Sequence, residues 1–399
     1  MNQRKGTVWR GRAAGAVSLL LASVSVRAGD DPFAGVEAAP VQAPAAGAEG
    51  ASDGWTDNLL FRKELYVLFG AGWDNFDDDR DIMSRVSAGF EVQKRFATAT
   101  RTVASFDYQG RVVYRDRALD TAADPMGRGA SPWKYETHNA YADVYNLSGE
   151  PGRLNLRAGY AYQPFGLNGQ TDTHATLLQL SNDRLFGAER DWQAALYGAL
   201  TEDLDYTVGY LLGAGPDHEL DGQSGMGAAR VALNSDWLFR RGLEGGVSFA
   251  GGQRVDRHAW MRSHSVMRSA GRDAVIDTWR AGADARKRLD SAAGPFTLAA
   301  ELAVGEDEDD LLASGLTQAD WLHPSRRFGT SLQYSHFWQD VDGMKDYTDA
   351  RATGVLTYYF KNDVGNANLH WLALAVERIV RRMDEPEDTL LMIQYYRYW

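Results

Sequence analysis

Hydrophobic and polar residues alternate with period two in many segments from Trp55 onward. In residues 105–115, SFDYQGRVVYR, polar side chains fall at positions 105, 107, 109, 111 and 115, and most positions between them are aromatic or aliphatic. Successive side chains of a β-strand point to opposite faces, so this alternation predicts a strand with one polar and one apolar face. The pattern recurs at residues 153–162, 295–304, 328–338 and 350–360.

Sixteen such segments are predicted, most of them about as long as a tilted strand that crosses a membrane. They lie at residues 63–76, 82–97, 102–116, 135–147, 153–164, 191–200, 204–214, 225–235, 242–254, 274–287, 295–305, 314–322, 328–339, 349–360, 366–380 and 388–399. The even-numbered connections, such as TATR and TED, are short, whereas most odd-numbered connections are longer and more charged. This layout is typical of outer-membrane barrels. The sequence therefore predicts an all-β fold, a transmembrane antiparallel β-barrel of about 16 strands.

The last ten residues, LLMIQYYRYW, form an apolar and aromatic run, whereas most chains end in a mobile tail. Taken alone, this run also suits the last strand of a soluble sheet. In a membrane barrel the last strand must pair with the first, because a sheet edge cannot face lipid. We expect Tyr395, Tyr396, Tyr398 and Trp399 near the periplasmic aromatic girdle. The aromatic end also resembles the C-terminal signal that the barrel-assembly machinery recognises.

The N-terminus has the layout of an exported chain. Four basic residues lie within the first twelve, the apolar run AAGAVSLLLASVSV follows, and Val26-Arg27-Ala28 is a small-x-small cleavage site. This order is typical of a secretory signal peptide, whose apolar run is too short to span a membrane. We expect residues 1–28 to be a signal peptide, residues 29–53 an Ala/Pro-rich periplasmic linker, and residues 54–399 the outer-membrane β-barrel.

Charge and cysteine content exclude several classes of function. Removal of residues 1–28 takes away five basic residues and no acidic one, so the formal charge moves from −12 to −17. Such an acidic exported chain is not expected to bind nucleic acid. The chain has no cysteine, which excludes disulfides, thiolate metal sites and covalently attached haem. Its eight histidines show no metal-ligand spacing, so we expect no metal and no cofactor.

The third long connection, residues 163–192, differs from the others. Its middle, THATLLQLSNDRLF, places Leu177, Leu178, Leu180 and Leu185 at helical spacing. A loop in water does not need these leucines, whereas a loop that folds into the barrel can pack them on the wall. We therefore expect an inward-folded third extracellular loop. The alternative is an outward loop that carries a small surface helix.

Two segments around this loop carry a family resemblance. They are NAYADVYNLSGEPGRLNLRAGYAYQPFG, which ends in Pro164-Phe165-Gly166, and DRLFGAERDW, which contains Glu189-Arg190. They resemble the phosphate-selective porin O and P family. The resemblance implies a sixteen-stranded outer-membrane porin, commonly a homotrimer, whose third loop constricts the pore. Some members draw phosphate through with lysine and arginine ladders. A lysine ladder is not evident in this chain, so the resemblance does not identify phosphate as its substrate.

Charged residues are predicted along the pore. The constriction candidates in the loop are Asp172, Asp183, Arg184 and Glu189. The wall candidates, whose strands precede or flank the loop, are Arg85, Arg111 and Arg157. Alternation adds further lumen residues, namely Glu91, Asp107, Arg230, Arg280, Asp284, Glu301 and Arg351. Opposed charges create a field that selects solutes by charge and size. The alternative is that many of these pairs only hold the wall together.

These features predict a porin for passive diffusion of small polar or ionic solutes in the outer membrane of a Gram-negative bacterium. Its expected partners are outer-membrane lipid and lipopolysaccharide, the barrel-assembly machinery and, in a homotrimer, its own copies. One alternative is a sheath for a membrane-crossing periplasmic or multihaem cytochrome partner. A barrel enzyme is disfavoured, because no Ser/His or Asp/His motif is evident. The acidic run Glu306–Asp310 is expected to be a solvated loop, with binding of divalent cations or lipopolysaccharide as the alternative.

Overall fold

The computed structural model describes residues 58–74, 80–98, 101–115, 132–167, 177–178, 190–215, 224–233, 241–255, 275–308, 310–340, 346–363, 368–382 and 388–399. The predicted signal peptide and linker lie outside these residues. Within the described ranges, no helix is long and apolar enough to cross a membrane.

Sixteen strands form a closed antiparallel barrel. In chain order they are β1 (Leu59–Asp74), β2 (Arg80–Ala97), β3 (Thr102–Arg115), β4 (Trp133–Val144), β5 (Asn155–Tyr162), β6 (Arg190–Ala199), β7 (Leu204–Leu211), β8 (Gly225–Leu233), β9 (Leu243–Val255), β10 (Val275–Leu289), β11 (Phe296–Asp307), β12 (Asp310–Leu322), β13 (Phe328–Gln339), β14 (Tyr347–Asp363), β15 (Asn368–Arg382) and β16 (Asp388–Tyr398). Each strand pairs with its neighbours in sequence, and β16 pairs with β1. The predicted fold class and strand number are confirmed.

The two faces of the barrel differ in polarity, because successive side chains of each strand alternate between them. Large apolar side chains cover the outer face; Ile82, Val247 and Leu332 are 66%, 61% and 60% exposed. A water-soluble monomer rarely exposes so large a continuous apolar surface. An apolar outer band around a polar interior is the arrangement of strands that face lipid. Most of the buried charged residues lie on the inner face.

The last strand closes the barrel against the first. The Lys63 amide donates to the Trp399 carbonyl (2.8 Å), and the Trp399 amide donates to the Lys63 carbonyl (3.1 Å). The Trp399 side chain is exposed on the outer face, as a girdle residue should be. Tyr396 and Tyr398 are instead buried on the inner face. The prediction that these two tyrosines join the girdle is therefore wrong, because even-numbered residues of β16 point inward.

The acidic run at residues 306–310 belongs to a hairpin. Strand β11 continues to Asp307, and β12 begins at Asp310. Asp307 is buried and accepts hydrogen bonds from Arg254 (2.7 Å) and Arg280 (2.8 Å). The expectation of a solvated loop is therefore wrong for Asp307, because arginines of β9 and β10 enclose its carboxylate.

Candidate functional site

The start of the third loop is fixed to the inner wall of β9 and β11. The Gly166 amide donates to Ser248 Oγ (2.9 Å), and the Leu167 amide donates to Glu301 Oε2 (2.8 Å). Gly166 has a φ of +57°, and a Cβ at this position would clash with the Glu301 carboxyl group. Both the backbone conformation and the close approach therefore require glycine here.

An apolar contact adds to these hydrogen bonds. Phe165 is buried in one cluster with inward-facing residues of six strands, namely Leu211, Met226, Ala228, Ala250, Ala303, Leu312 and Phe337. Gly282 of β10 leaves room for the ring, because a Cβ there would lie 2.8 Å from Phe165 Cζ. The first residues of the loop are thus packed against the wall as well as hydrogen-bonded to it.

The middle of the loop contacts a different part of the wall. Leu177 and Leu178 are 2% and 8% exposed. They share a buried cluster, here called the leucine seat, with inward-facing residues of β1, β2 and β14–β16, namely Tyr66, Leu68, Met83, Val355, Leu369, Ala373, Ala375, Met392, Tyr396 and Tyr398. In the circular strand order, β16 lies six strands from β10. The loop therefore folds inward, as predicted, and contacts two widely separated regions of the wall.

Two of the predicted wall arginines meet beside the leucine seat. Glu136 Oε2 lies 3.1 Å from Arg85 Nη2 and 3.4 Å from Arg111 Nε. Arg111 also lies 3.4 Å from Glu64 Oε1. The Arg85 guanidinium is 5.3 Å from the ring centre of Tyr66, which belongs to the leucine seat. The loop and these arginines are thus neighbours.

A glycine allows the Glu64–Arg111 contact. Gly89 of β2 is the strand partner of Glu64 on one side and of Arg111 on the other. A Cβ on Gly89 would lie 3.0 Å from Arg111 Cβ and 3.2 Å from Glu64 Oε2. Any larger side chain at this position would push the two charged groups apart.

Arg190 and His138 extend the same cluster. The charge of Arg190 acts on Arg111, and the Arg190 guanidinium lies 3.9 Å from the ring centre of Tyr162. His138 Nδ1 lies 3.0 Å from Arg111 Nη2, and it accepts a hydrogen bond there because arginine can only donate. We call Arg85, Arg111 and Arg190, with Glu64 and Glu136, the arginine cluster. Among the residues that the structure describes, it contains three cations and two anions.

The third predicted wall arginine, Arg157, lies elsewhere. It donates to both carboxylate oxygens of Asp143 (2.9 and 3.0 Å). Its guanidinium also lies 4.2 Å from the ring centre of Tyr141 and 5.5 Å from that of Tyr197. Arg157 is the third residue of β5 and follows a short turn, so it lies at the other end of the barrel from the start of the third loop. The structure does not bring it into the arginine cluster.

The other predicted lumen arginines have acidic partners. The pairs are Arg230–Asp284 (2.7 Å), Arg280–Asp307 (2.8 Å), Arg351–Asp349 (3.4 Å) and Arg351–Glu377 (3.5 Å). The Arg280 and Arg351 side chains are almost completely buried. Their charges are cancelled within the wall, which supports the interpretation that these pairs stabilise the barrel.

The predicted lumen acids are also inward. Glu91 accepts a hydrogen bond from the Tyr398 hydroxyl and lies 3.7 Å from Arg62, so it connects β2 with the two strands that close the barrel. Asp107 is buried on the inner face of β3. Glu301 holds the start of the third loop, a role that sequence alternation could not assign.

The loop charges Asp172, Asp183, Arg184 and Glu189 lie outside the described residues, so their place at the constriction stays a prediction. No group of three or more metal-ligating side chains occurs among the residues that the structure describes.

Sequence reasoning missed Glu64, Glu136 and His138. The pairing of β3 with β4 shifts between Gln109 and Gly110, and His138 is the extra residue of this β-bulge. A bulge changes which positions face inward, so alternation read from either end of β4 assigns part of the strand wrongly. The alternation of β1 alone could have identified Glu64.

Comparison with solved structures finds barrels of similar fold. The chain is similar to OprB of Pseudomonas putida, with 11% identity over 86% of this chain and 94% of that chain and a TM-score of 0.58. It is also similar to the anion-selective porin of Comamonas acidovorans (9% identity, 86% and 99% covered, TM-score 0.53) and to OmpF of Salmonella typhi (12%, 85% and 97%, TM-score 0.52). At these identities the likeness shows the sixteen-stranded porin-type fold.

No protein-family model and no curated protein matches the sequence. The resemblance to the phosphate-selective porin O and P family is therefore not confirmed. The sixteen-stranded barrel that the resemblance implies is confirmed.

Proposed function

We propose that the protein is an outer-membrane channel for passive diffusion of small polar or ionic solutes, and that the third loop and the arginine cluster set its charge selectivity. The apolar outer face supports a position in a lipid bilayer. The proposal includes no catalytic role.

The observation that carries this proposal is the pair of loop contacts on the inner wall. Phe165, Gly166 and Leu167 contact one region, and Leu177 and Leu178 contact another. A loop that is held at both places narrows the barrel between them. Because the arginine cluster lies beside the leucine seat, solutes that pass the loop also pass its charges.

The sheath alternative is less well supported. A protein partner inside the barrel would need the space that these loop residues occupy, and the buried leucine seat would have to open. Phosphate selectivity also lacks support, because the predicted wall and lumen arginines have acidic partners instead of forming an unpaired ladder; they are Arg85, Arg111, Arg157, Arg230, Arg280 and Arg351.

Single-channel recording in planar bilayers tests the proposal. Replacing residues 172–186 with a Gly-Ser linker removes both leucines of the seat, so we expect a higher single-channel conductance. A matched control replaces residues 148–151 of the short β4–β5 turn with Gly and Ser; these residues are exposed and lie away from the loop contacts, so the conductance should be unchanged. Equal conductance of the loop variant and the parent would contradict a constriction at the loop. Absence of any current from the folded parent would contradict the channel itself.

A further inference from the structure

The inner wall of β14–β16 and β1 carries aromatic rings that charge selectivity does not require. Tyr359, Trp371, Tyr396 and Tyr66 are paired residue to residue on these four consecutive strands. The ring centres of Tyr359 and Trp371 are 6.0 Å apart, and those of Trp371 and Tyr396 are 4.3 Å apart. We call these four residues the aromatic row.

The aromatic row runs at an angle to the pore axis. Paired residues follow the hydrogen-bonding direction, which is perpendicular to the strands, and barrel strands tilt by about 35–45°. Three strand spacings of about 4.8 Å each therefore carry the row about 9 Å along the axis. A solute that follows the row consequently also advances through the pore.

One end of the row is covered and the other is open. Tyr66 and Tyr396 belong to the leucine seat and are buried. Tyr359 and Trp371 are only half-buried, and on the inner face of the barrel their exposed parts face the lumen. Trp371 packs against the leucine seat, so the accessible pair adjoins the part of the wall that Leu177 and Leu178 cover.

Both accessible rings are held in place. The Trp371 indole Nε1 donates to Gln394 Oε1 (2.9 Å). The Tyr359 ring lies over the backbone of β13, where a Cβ on Gly329 would be 3.2 Å from Tyr359 Cε2. Rings that are already oriented lose little conformational entropy when a ligand stacks on them.

A strip of polar side chains adjoins Tyr359. Gln318 Nε2 donates to both oxygens of Asp320 (2.8 and 3.1 Å), and Gln333 Nε2 donates to Gln318 Oε1 (2.6 Å). Ser331 is the strand partner of Asp320. The charge of Asp320 acts on Tyr359, so the strip and the row are adjacent. The strip combines amide, hydroxyl and carboxylate groups. The charge of Arg286, which pairs with Glu244, acts on Asp320.

We propose that Tyr359 and Trp371, together with Gln318, Asp320 and Gln333, form a lumen subsite for neutral carbohydrate rings. Aromatic faces offer an apolar surface to the C–H face of a sugar ring, while amides and carboxylates can donate to and accept from its hydroxyls. An anion would meet the Asp320 carboxylate here, and the nearby Arg286 is already paired with Glu244 at 2.7 Å, so the subsite disfavours phosphate. This inference rests on the proposed channel function.

The test compares glucose with sorbitol, an open-chain polyol without a ring face, as blockers of the ion current through the wild-type channel in planar bilayers. We expect glucose to reduce the current saturably, and sorbitol to reduce it only as far as bulk conductivity falls. Equal effects of both solutes would overturn the subsite. A channel without ion current would instead refute the proposed function, so the two failures are distinguishable.

Substitutions identify the residues. Trp371→Leu and Tyr359→Leu should each raise the half-blocking glucose concentration about threefold to tenfold, as expected for loss of one aromatic contact. Trp371→Phe keeps a ring and should lie between Trp371→Leu and the wild type. Tyr358→Leu removes the neighbouring ring on the outer face and should leave glucose block unchanged. If both leucine variants retain the ion current and have the half-blocking glucose concentration of the wild type, the proposal is contradicted.

Discussion

Glu136 provides the sharpest test of the arginine cluster. Its carboxylate lies between Arg85 and Arg111, at 3.1 and 3.4 Å. Glu136→Gln keeps the shape and a hydrogen-bond acceptor. The substitution removes one negative charge and leaves the arginines in place. We therefore expect the channel to become more permeable to anions relative to cations.

The magnitude follows from Coulomb's law in a wet pore. An elementary charge shifts the energy of a monovalent ion about 6 Å away by about 0.7 kcal/mol at the dielectric constant of water. Screening at 0.1 M salt reduces this to about 0.4 kcal/mol. Cation and anion shift in opposite directions, so the permeability ratio changes by about 0.8 kcal/mol, or about fourfold.

Reversal potentials in a KCl gradient measure this ratio, with Glu150→Gln as the control. Glu150 lies in the β4–β5 turn, and its side chain is 74% exposed. Glu150→Gln therefore removes one negative charge, as Glu136→Gln does, but at a position away from the cluster. The control should keep the parent ratio. An unchanged ratio in Glu136→Gln, or a shift toward cations, would refute the assignment of the arginine cluster to selectivity. The change in the permeability ratio of Glu136→Gln should be smaller at high salt, because salt screens the interaction between the ion and the charged group.

Three further substitutions test the contacts that hold the site. Gly166→Val forces a side chain into the Glu301 carboxyl group and an unfavourable φ, so the loop start should detach and the conductance should become larger or noisier while the barrel still folds. Asp307→Asn removes the anion between two buried arginines and should lower stability by about 3–5 kcal/mol, measured as a lower midpoint of heat-induced loss of the folded electrophoretic form; an unchanged midpoint would contradict this. Tyr398→Phe removes the hydrogen bond to Glu91 and should reduce the folded fraction in outer-membrane preparations, whereas an unaltered fraction would mean that the inner contact is dispensable for assembly.

Short-range patterns were sufficient to predict most of the barrel. A strand needs only local alternation to show which residues share a face, so Arg111, Asp107 and Glu91 could be assigned to the inner face without knowledge of their partners. The leucines of the third loop carried a similarly local signal, because Leu177 and Leu178 are apolar where a hydrated loop needs polar residues. Both were then found buried against the wall.

The partners of the charged residues could not be predicted in this way. Which charges meet depends on strand register and on glycines that leave space between strands, as Gly89 does for Glu64 and Arg111. The β-bulge at His138 altered the facing of β4 and hid Glu136 from alternation.

The sequence by itself therefore determined the strands, most of their faces and the inward loop, because each depends on residues within a few positions of one another. Only the tertiary structure decided that Arg85 and Arg111 share one carboxylate while Arg157 stacks on tyrosines near the opposite end of the barrel. The physical reason is that Coulomb and hydrogen-bond energies depend on distances of a few ångströms, and closure of the barrel sets those distances between residues far apart in the chain.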